Sequence, residues 1–184
     1  KKVSGNGAYK IIPYVTCQKK LVCKSGCPYS TIQAAMDAAV QYDTILITDG
    51  ATYNERVNWP AKNDITLDCN GATIQGPTTF GIYLDHISRA TVKNCKITGN
   101  GYGIYIDGNG NQITINSSEI YGNDEGIRIQ GLTSSDQPRV LKIENSNIHD
   151  NGNAIHFDYF RGTNEIIRNN IIVNNVGNGI YIDT

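Results

Sequence analysis

The sequence lacks any apolar run long enough to cross a membrane. A spanning helix needs about 20 consecutive apolar residues, and no segment approaches that length. The opening residues, KKVSGNGAYK, also lack the apolar core of a signal peptide. These absences argue against a transmembrane protein. We expect either a mature secreted form or a chain whose targeting segment is missing.

An excess of charge of either sign is also missing. Lys and Arg number 16 and Asp and Glu 17, which gives a formal net charge of -1. The basic residues do not gather into a patch of the kind that neutralises phosphates. Nucleic acid is therefore not an expected partner.

Met and Trp occur once each, whereas Gly occurs 19 times and Asn is plainly abundant. Such a composition suits many turns rather than long helices. At 184 residues the chain is long enough for one domain with a continuous core, and too short for two comfortable ones. We expect a single domain rich in turns.

The cysteines are few but informative: Cys17, Cys23, Cys27, Cys69 and Cys95. They suggest disulfide bonds formed in an oxidising compartment. The alternative, a zinc site that includes Cys23 and Cys27, needs four ligands, and no His lies nearby to complete the set. We predict no metal site. An odd count leaves one thiol free or bonded to another molecule, and the pairing stays open.

One amphipathic helix is predicted at residues 30–40, between a Cys-containing segment (1–29) and a strand-rich region (41–184). Ser30 and Gln33 form a capping-box signature, and apolar residues follow at helical spacing: Ile32, Ala35, Met36 and Ala39. The pattern then changes to short alternating strands separated by Gly, Asn and Pro. The helix is well placed to cover the N-terminal end of that region.

An internal repeat runs through residues 81–184. The repeated strand recurs after 22, 23, 28 and 25 residues, as GIYLD (81–85), GIYID (103–107), GIRIQ (126–130), AIHFD (154–158) and GIYID (179–183). Six residues before each later repeat lies a second apolar column: Ile97, Ile120, Ile148 and Val173. Three residues before each of these lies a polar column, which we assign to a corner of the coil: Asn94, Ser117, Asn145 and Asn170. The polar insert at 131–139 accounts for the longest interval.

This period predicts an all-β fold, a right-handed single-stranded parallel β-helix with a short capping helix. Leucine-rich repeats share the period, but they need a Leu-rich consensus and usually a helix in each repeat. In a β-helix the coils stack at about 4.8 Å and equivalent residues form columns. The predicted inward columns are Ile82, Ile104, Ile127, Ile155 and Ile180, and Leu84, Ile106, Ile129, Phe157 and Ile182. Asn residues at the corners can form side-chain ladders.

Cys69 and Cys95 fall at equivalent places in successive coils. Their Cα atoms should then lie near the separation of about 5 Å that a disulfide tolerates. Either a bridge between the coils or a stack of inward thiols fits this placement.

Residues 29–57, YSTIQAAMDAAVQYDTILITDGATYNERV, resemble the opening of pectin methylesterases and related pectate-lyase-like β-helix proteins. Residues 65–184, with pieces such as TLDCNGATI, are similar to the β-helix repeats of carbohydrate-binding and sugar-hydrolase proteins, polygalacturonases among them. The resemblance implies extracellular work on acidic polysaccharide. The catalytic motifs of pectin methylesterases and polygalacturonases are both absent, so neither activity is implied.

Alternation along each repeated strand turns the remaining side chains outward, toward solvent. We interpret the resulting wall as a glycan-binding face composed of Tyr83, Asp85, Tyr105, Asp107, Arg128, His156, Tyr181 and Asp183, with Gln130 and Asp158 in the same columns. Aromatic faces with hydroxyls, an Arg and carboxylates suit a sugar chain. The alternative is a merely solvated or packed face, because Tyr favours strands and Asp begins turns.

Carboxylates stacked one coil apart would repel each other, as Asp85 would repel Asp107 and Asp158 would repel Asp183. Backbone N–H donors in the turns could offset this repulsion, or a bound Ca²⁺ could. The Asp-rich nonapeptide of calcium-binding β-rolls is absent, so we predict no cofactor, with Ca²⁺ as the alternative.

The best catalytic cluster that the sequence offers surrounds His156. Asp158 lies on the same face, Arg128 lies one coil away, and Arg161 lies in the following loop. Elimination or epimerisation of a polysaccharide needs a base for the proton next to a carboxylate and a cation for the developing enolate. We assign His156 as the base and Arg128 or Arg161 as the stabiliser. The alternative is a surface His beside a structural Asp.

The sequence is compatible with two functions. The first is a structural module, secreted or on the cell surface, that polymerises head to tail through the open edge of its last coil and also binds glycan. Its partners would be copies of itself and polysaccharide. The second is an enzyme, or part of one, that acts on acidic polysaccharide as a lyase, epimerase or esterase. The lack of a known catalytic set and the unpaired cysteine favour the structural module.

Overall fold

The computed structural model of the protein describes residues 18–76, 79–108, 111–130, 140–158 and 165–183. Within these residues every strand pairing is parallel, and the strands stack into three sheets. Each full coil passes through sheet A, sheet B and sheet C before the next coil begins. The chain is therefore a parallel β-solenoid of about six coils, as the repeat predicted.

The strands are short, with two to six residues each. Sheet A has seven strands: β1 (Lys19–Val22), β2 (Thr44–Ile47), β5 (Ile65–Asp68), β8 (Ser88–Lys93), β11 (Asn111–Asn116), β14 (Leu141–Glu144) and β17 (Glu165–Arg168). Sheet B has six: β3 (Thr52–Asn54), β6 (Thr73–Gln75), β9 (Lys96–Thr98), β12 (Glu119–Tyr121), β15 (Asn147–His149) and β18 (Ile171–Val173). Sheet C has six: β4 (Val57–Asn58), β7 (Phe80–Asp85), β10 (Tyr102–Asp107), β13 (Glu125–Gln130), β16 (Asn153–Asp158) and β19 (Ile180–Ile182).

Both predicted inward columns are present on sheet C. The register stacks Ile82, Ile104, Ile127, Ile155 and Ile180, and beside them Leu84, Ile106, Ile129, Phe157 and Ile182. Coils above and below cover the members from β7 to β16, which are buried. Ile180 is 46% exposed, because no described coil covers the last one. Removal of these apolar side chains from water is the main source of stability in such a stack.

The predicted column through sheet B is wrong in its last coil. Ile148 pairs with Ile172 rather than with Val173. The corner residue in the left-handed conformation is likewise Asn169 rather than Asn170. The segment from Ile172 to Ile180 is one residue longer than the segment from Ile148 to Ile155 and its equivalents in the two coils before it, so a fixed count back from the last repeat gives the wrong register.

A ladder of asparagines lines the corner between sheets B and C. Asn123 Oδ1 accepts hydrogen bonds from Asn100 N at 3.1 Å and from Asn100 Nδ2 at 3.2 Å. Asn151 and Asn175 repeat the same arrangement in the next coils. The ladder satisfies backbone groups that the turns would otherwise bury unpaired. Side-chain ladders were expected, but this one was not the column singled out from the sequence.

The helix α1 (Ile32–Ala38) covers the first coil and packs against β1, β2 and β4. Its apolar face is buried: Ile32, Ala35 and Met36. The predicted capping box of Ser30 and Gln33 is wrong, because Thr31 is the N-cap. Glu55, between β3 and β4, also accepts hydrogen bonds from the first two helical N–H groups at 2.9 and 3.0 Å. A carboxylate at this helix end both pairs orphan donors and carries the favoured charge.

Two disulfides are present among the described residues. Cys69 and Cys95 join successive coils in the interior, with their Cα atoms 4.7 Å apart. Cys23 and Cys27 close a short loop after β1, with their Cα atoms 5.5 Å apart. Cys17 lies outside the described residues, as do the insert at 131–139 and Arg161.

Candidate functional site

The outer surface of sheet C, termed here the sheet C face, collects the residues of the predicted wall. The register stacks Tyr83, Tyr105, Arg128, His156 and Tyr181 in one column. It pairs Asp85 with Asp107 and Gln130 with Asp158 in a second column, and Asp183 follows β19. The expectation that this wall faces solvent is wrong for three members, since neighbouring side chains bury Tyr105, His156 and Asp158.

Four rings from β7 and β10 form a continuous surface, the aromatic platform: Phe80, Tyr83, Tyr102 and Tyr105. The centroid of the Phe80 ring lies 5.0 Å from that of Tyr83, 5.5 Å from Tyr102 and 4.8 Å from Tyr105. These separations are typical of favourable aromatic pairs. Sequence reasoning missed Phe80 and Tyr102, although an aromatic residue directly before the Gly of two successive repeats was a usable signal.

Burial shifts the acidity of the platform hydroxyls. Burial and the nearby charge of Asp107 raise the pKa of Tyr105 to about 12. The pKa of Tyr83 is also raised, mainly by burial and then by Asp85 and Asp107. Both hydroxyls stay protonated at neutral pH and donate within the protein, Tyr83 to Asp107 and Tyr105 to Gln130.

Arg56, just before β4, extends the platform at its N-terminal end. Its guanidinium carbon lies 4.8 Å from the Phe80 ring centroid and 5.0 Å from that of Tyr83, in cation–π range. Within the described residues no carboxylate pairs with it, and its buried Nε has no hydrogen-bond partner. Arg56 was missed because β4 has only two residues and lacks the repeat motif.

A partly buried ionic cluster on β13 and β16, termed the Arg128 cluster, adjoins the other end of the platform, where the Arg128 guanidinium carbon lies 5.5 Å from the centroid of the Tyr102 ring. Arg128 donates to both Glu125 carboxylate oxygens at 3.3 Å and to Asp158 Oδ2 at 2.5 Å. Burial alone would lower the pKa of Arg128, but the hydrogen bond to Asp158 and the charge of Glu125 outweigh burial and raise that pKa. Glu125 was not among the predicted site residues, although it too directly precedes a repeat Gly.

His156 completes the Arg128 cluster. Its Nδ1 lies 3.0 Å from Glu125 Oε1, and its Nε2 is buried with no partner among the described residues. If Nδ1 donates to the carboxylate, Nε2 carries the lone pair and can accept a proton. The Tyr181 ring covers the imidazole, with centroids 4.7 Å apart. Access to Nε2 therefore depends on the last described coil.

The stacked carboxylates of Asp85 and Asp107 are offset by local partners. Asp85 pairs with the neighbouring imidazole of His86. Asp107 accepts hydrogen bonds from Gly108 N at 2.7 Å and from the Tyr83 hydroxyl at 3.4 Å. Within the described ranges no group of three or more His, Cys, Asp or Glu residues could hold a metal ion.

A groove of about 740 Å³ opens beside the platform, along the corner between sheets B and C. Its lining includes Thr79, Gly101, Tyr102, Asp124 and Glu125. Tyr102 and Glu125 belong to the aromatic platform and to the Arg128 cluster, so the groove gives a ligand a route to both.

The sheets and this face define a β-solenoid with an aromatic and ionic surface along one side. Residues 38–184 match the family model of the right-handed β-helix region, so the chain belongs to the right-handed β-helix family. The right-handed parallel β-helix expected from the sequence is confirmed. No curated protein matches the chain. Among the described residues, no helix is long and apolar enough to cross a membrane.

Two solved structures superpose on the chain. An alginate lyase from Paenibacillus sp. str. FPU-7 superposes with a TM-score of 0.63 at 19% identity, over 91% of this chain and 58% of that one. Pectate lyase Pel9A superposes with a TM-score of 0.41 at 16% identity, over 91% of this chain and 68% of that one. The chain thus spans 58% of the length of the alginate lyase. At such identities the likeness concerns the fold alone.

Proposed function

We propose that the sheet C face binds a polysaccharide chain and that the protein works outside the cell. The aromatic platform carries this proposal, because its adjoining rings offer apolar surface to sugar C–H groups and the Tyr102 hydroxyl can bond to a sugar hydroxyl. The two disulfides support an oxidising, extracellular location. The fold likeness to an alginate lyase is consistent with a glycan ligand.

The two ends of the face differ in charge, which orients an acidic chain. Arg56 has no carboxylate partner among the described residues, whereas Arg128 is outnumbered by Glu125 and Asp158. A sugar carboxylate is therefore attracted first to the Arg56 end of the platform, where no described protein carboxylate competes for the cation.

Substitution of platform residues tests binding. Tyr102→Ala is expected to weaken binding of polygalacturonate or alginate oligomers about three- to tenfold, the usual worth of one aromatic contact. Tyr121→Ala is the matched control, because Tyr121 is an outward tyrosine on sheet B that stacks on His149. Isothermal titration calorimetry measures both variants. Equal affinities for the parent and Tyr102→Ala would refute the platform as the binding surface.

A second candidate function is cleavage of the bound chain by elimination, which the buried and unpartnered His156 Nε2 favours. In that reaction Nε2 takes the proton next to a sugar carboxylate. The glycosidic C–O bond on the adjacent carbon then breaks, a C=C bond forms between the two carbons, and the leaving oxygen takes a proton from solvent water. Glu125 would hold the imidazole tautomer, and Arg128 would stabilise the charge that develops on the carboxylate.

His156→Gln tests the elimination. It should abolish the ultraviolet absorbance of unsaturated product while glycan binding persists. His149→Gln on sheet B is the control, since His149 lies in a different ionic group, with Asp150 and Glu119. Elimination at the parent rate by His156→Gln would exclude His156 as the base. If the parent forms no unsaturated product from any acidic glycan, the sheet C face binds glycan without cleaving it.

The head-to-tail filament considered from the sequence finds less support. In the described part of the chain α1 packs against β1, β2 and β4 at the N-terminal end. An incoming last coil would therefore meet a helix over part of that surface rather than open strand edges alone. Sedimentation velocity over a range of protein concentrations tests it. Large species that form as the protein concentration rises would support head-to-tail assembly into a filament.

A further inference from the structure

A second groove lies on the outer face of sheet A, separate from the sheet C face. Its volume is about 450 Å³, and its lining comes from four successive coils. The lining residues include Asp64, Thr66, Arg89, Thr91, Gln112, Thr114, Val140 and Lys142. Its floor is polar, unlike the aromatic platform.

The floor of this groove is a column of threonines. The register pairs Thr66 with Thr91 and Thr91 with Thr114, one in each coil. Successive hydroxyls therefore repeat at about the 4.8 Å spacing of stacked strands. None of the three hydroxyls bonds to another described residue. Such a row of hydroxyls can donate to and accept from a ligand that is itself rich in hydroxyls.

One wall of the groove carries large polar side chains where the backbone favours Gly or Asn. Asp64, Arg89 and Gln112 have φ values of 60°, 57° and 57°, in the left-handed region. That conformation costs side-chain-bearing residues about 1 kcal/mol, least for Asn and Asp. At the corner between sheets A and B the same conformation falls mostly on Asn. Arg89 and Gln112 are thus kept at a conformational cost, which favours a role for their side chains.

Among the described residues of the groove, the charge that has no ion-pair partner is positive. Arg89 donates to both Asp64 oxygens at 2.6 and 2.9 Å, and this pair holds the pKa of Asp64 below its ordinary value. Lys142 continues the threonine column, since it pairs with Thr114. It makes no ion pair with any described residue. No described carboxylate therefore competes with an external anion for its ammonium group.

We propose that the sheet A groove is a second glycan site that binds an acidic, hydroxyl-rich sugar chain. The threonine column bonds to sugar hydroxyls, Gln112 adds an amide, and Lys142 pairs with a sugar carboxylate or sulfate. The site uses none of the residues of the sheet C face, so this proposal does not depend on the function proposed for that face.

Two substitutions test the site in the full chain. Thr91→Val removes one hydroxyl at similar size and should weaken binding at this site about threefold, the usual net worth of a neutral hydrogen bond. Lys142→Gln should weaken it about tenfold and reduce its dependence on salt. Thr73→Val is the matched control, because Thr73 is a half-buried outward threonine on sheet B.

Calorimetric titration with polygalacturonate oligomers and alginate oligomers provides the readout, with neutral cello-oligosaccharides for comparison. Combination with Tyr102→Ala separates the two faces. The sheet A site predicts that acidic oligomers still bind Tyr102→Ala and that Lys142→Gln weakens this remaining binding. Parent-like binding by both Thr91→Val and Lys142→Gln would overturn the proposal. Equal affinity for neutral and acidic oligomers at this site would overturn the acidic ligand class.

Discussion

Replacement of Arg128 by Met is the most direct test of the Arg128 cluster. It leaves Glu125 and Asp158 without their cation at a place where these side chains are only 15% and 8% exposed. Removal of one partner of a buried ion pair costs about 3–5 kcal/mol, because the remaining charge is desolvated and unpaired. The cluster retains some contact with water, so we expect Arg128→Met to lower the free energy of unfolding by about 3 kcal/mol.

Urea unfolding near pH 7 measures this loss, because urea adds no salt that would screen the charges. A shift of the midpoint at constant slope would show a change of stability alone. The control is the triple variant Glu125→Gln, Arg128→Met, Asp158→Asn, which removes the whole network. Replacement of a complete buried network is often nearly neutral, so we expect it within about 1 kcal/mol of the parent.

The two variants together decide what the cluster does. A loss below about 1 kcal/mol in Arg128→Met would refute the reasoning, because the carboxylates would then not depend on the guanidinium. A triple variant as unstable as Arg128→Met would show that packing, not charge, causes the loss. If the parent cleaves glycan, a stable triple variant that no longer cleaves it would show that the network serves function rather than folding.

Three further predictions concern the solenoid. Cys69→Ala with Cys95→Ala should lower the free energy of unfolding by about 3.5 kcal/mol, because their bridge spans 26 residues; a loss below about 1 kcal/mol by urea unfolding would contradict this. Gly103→Ala should cost about 2 kcal/mol or more by the same assay, because the added Cβ would meet a backbone oxygen at 2.6 Å. The pKa of His149 is raised, first by its hydrogen bond to Asp150. Protonated His149 therefore stabilises the fold fully below about pH 6.5, and this stabilisation is lost as pH rises through the higher folded pKa. His149→Gln should remove that part of the pH dependence of the free energy of unfolding.

The repeat made most of the architecture predictable. Alternation fixed which residues of β7, β10, β13 and β16 point inward, because a one-residue slip would turn every apolar side chain outward. The prediction that Val173 belongs to the inward column of sheet B was wrong, because the segment after β18 is one residue longer than in the coil before it. The composition of β18 does not reveal this extra residue. The N-cap was misplaced by one residue, since Ser30 and Thr31 are both suitable caps and only the fold brings Glu55 to that helix end.

The candidate site was predictable only where it coincides with the repeat. Arg128, His156 and Asp158 share one face because they occupy repeat positions, and the sequence placed them together. Arg56 lies before a strand of two residues, too short to show a period. Its contact with the platform depends on packing between coils, which no count along the chain reveals.

The sequence by itself determined the coil, its inward columns and the outward order of residues, because side-chain direction in a strand alternates with a fixed period. Only the tertiary structure decided which outward residues are covered by their neighbours and which polar groups find partners. Tyr105, His156 and Asp158 occupy outward positions and are nevertheless buried. Burial and ion pairing depend on atoms that come from other coils, and a local pattern carries no record of those neighbours.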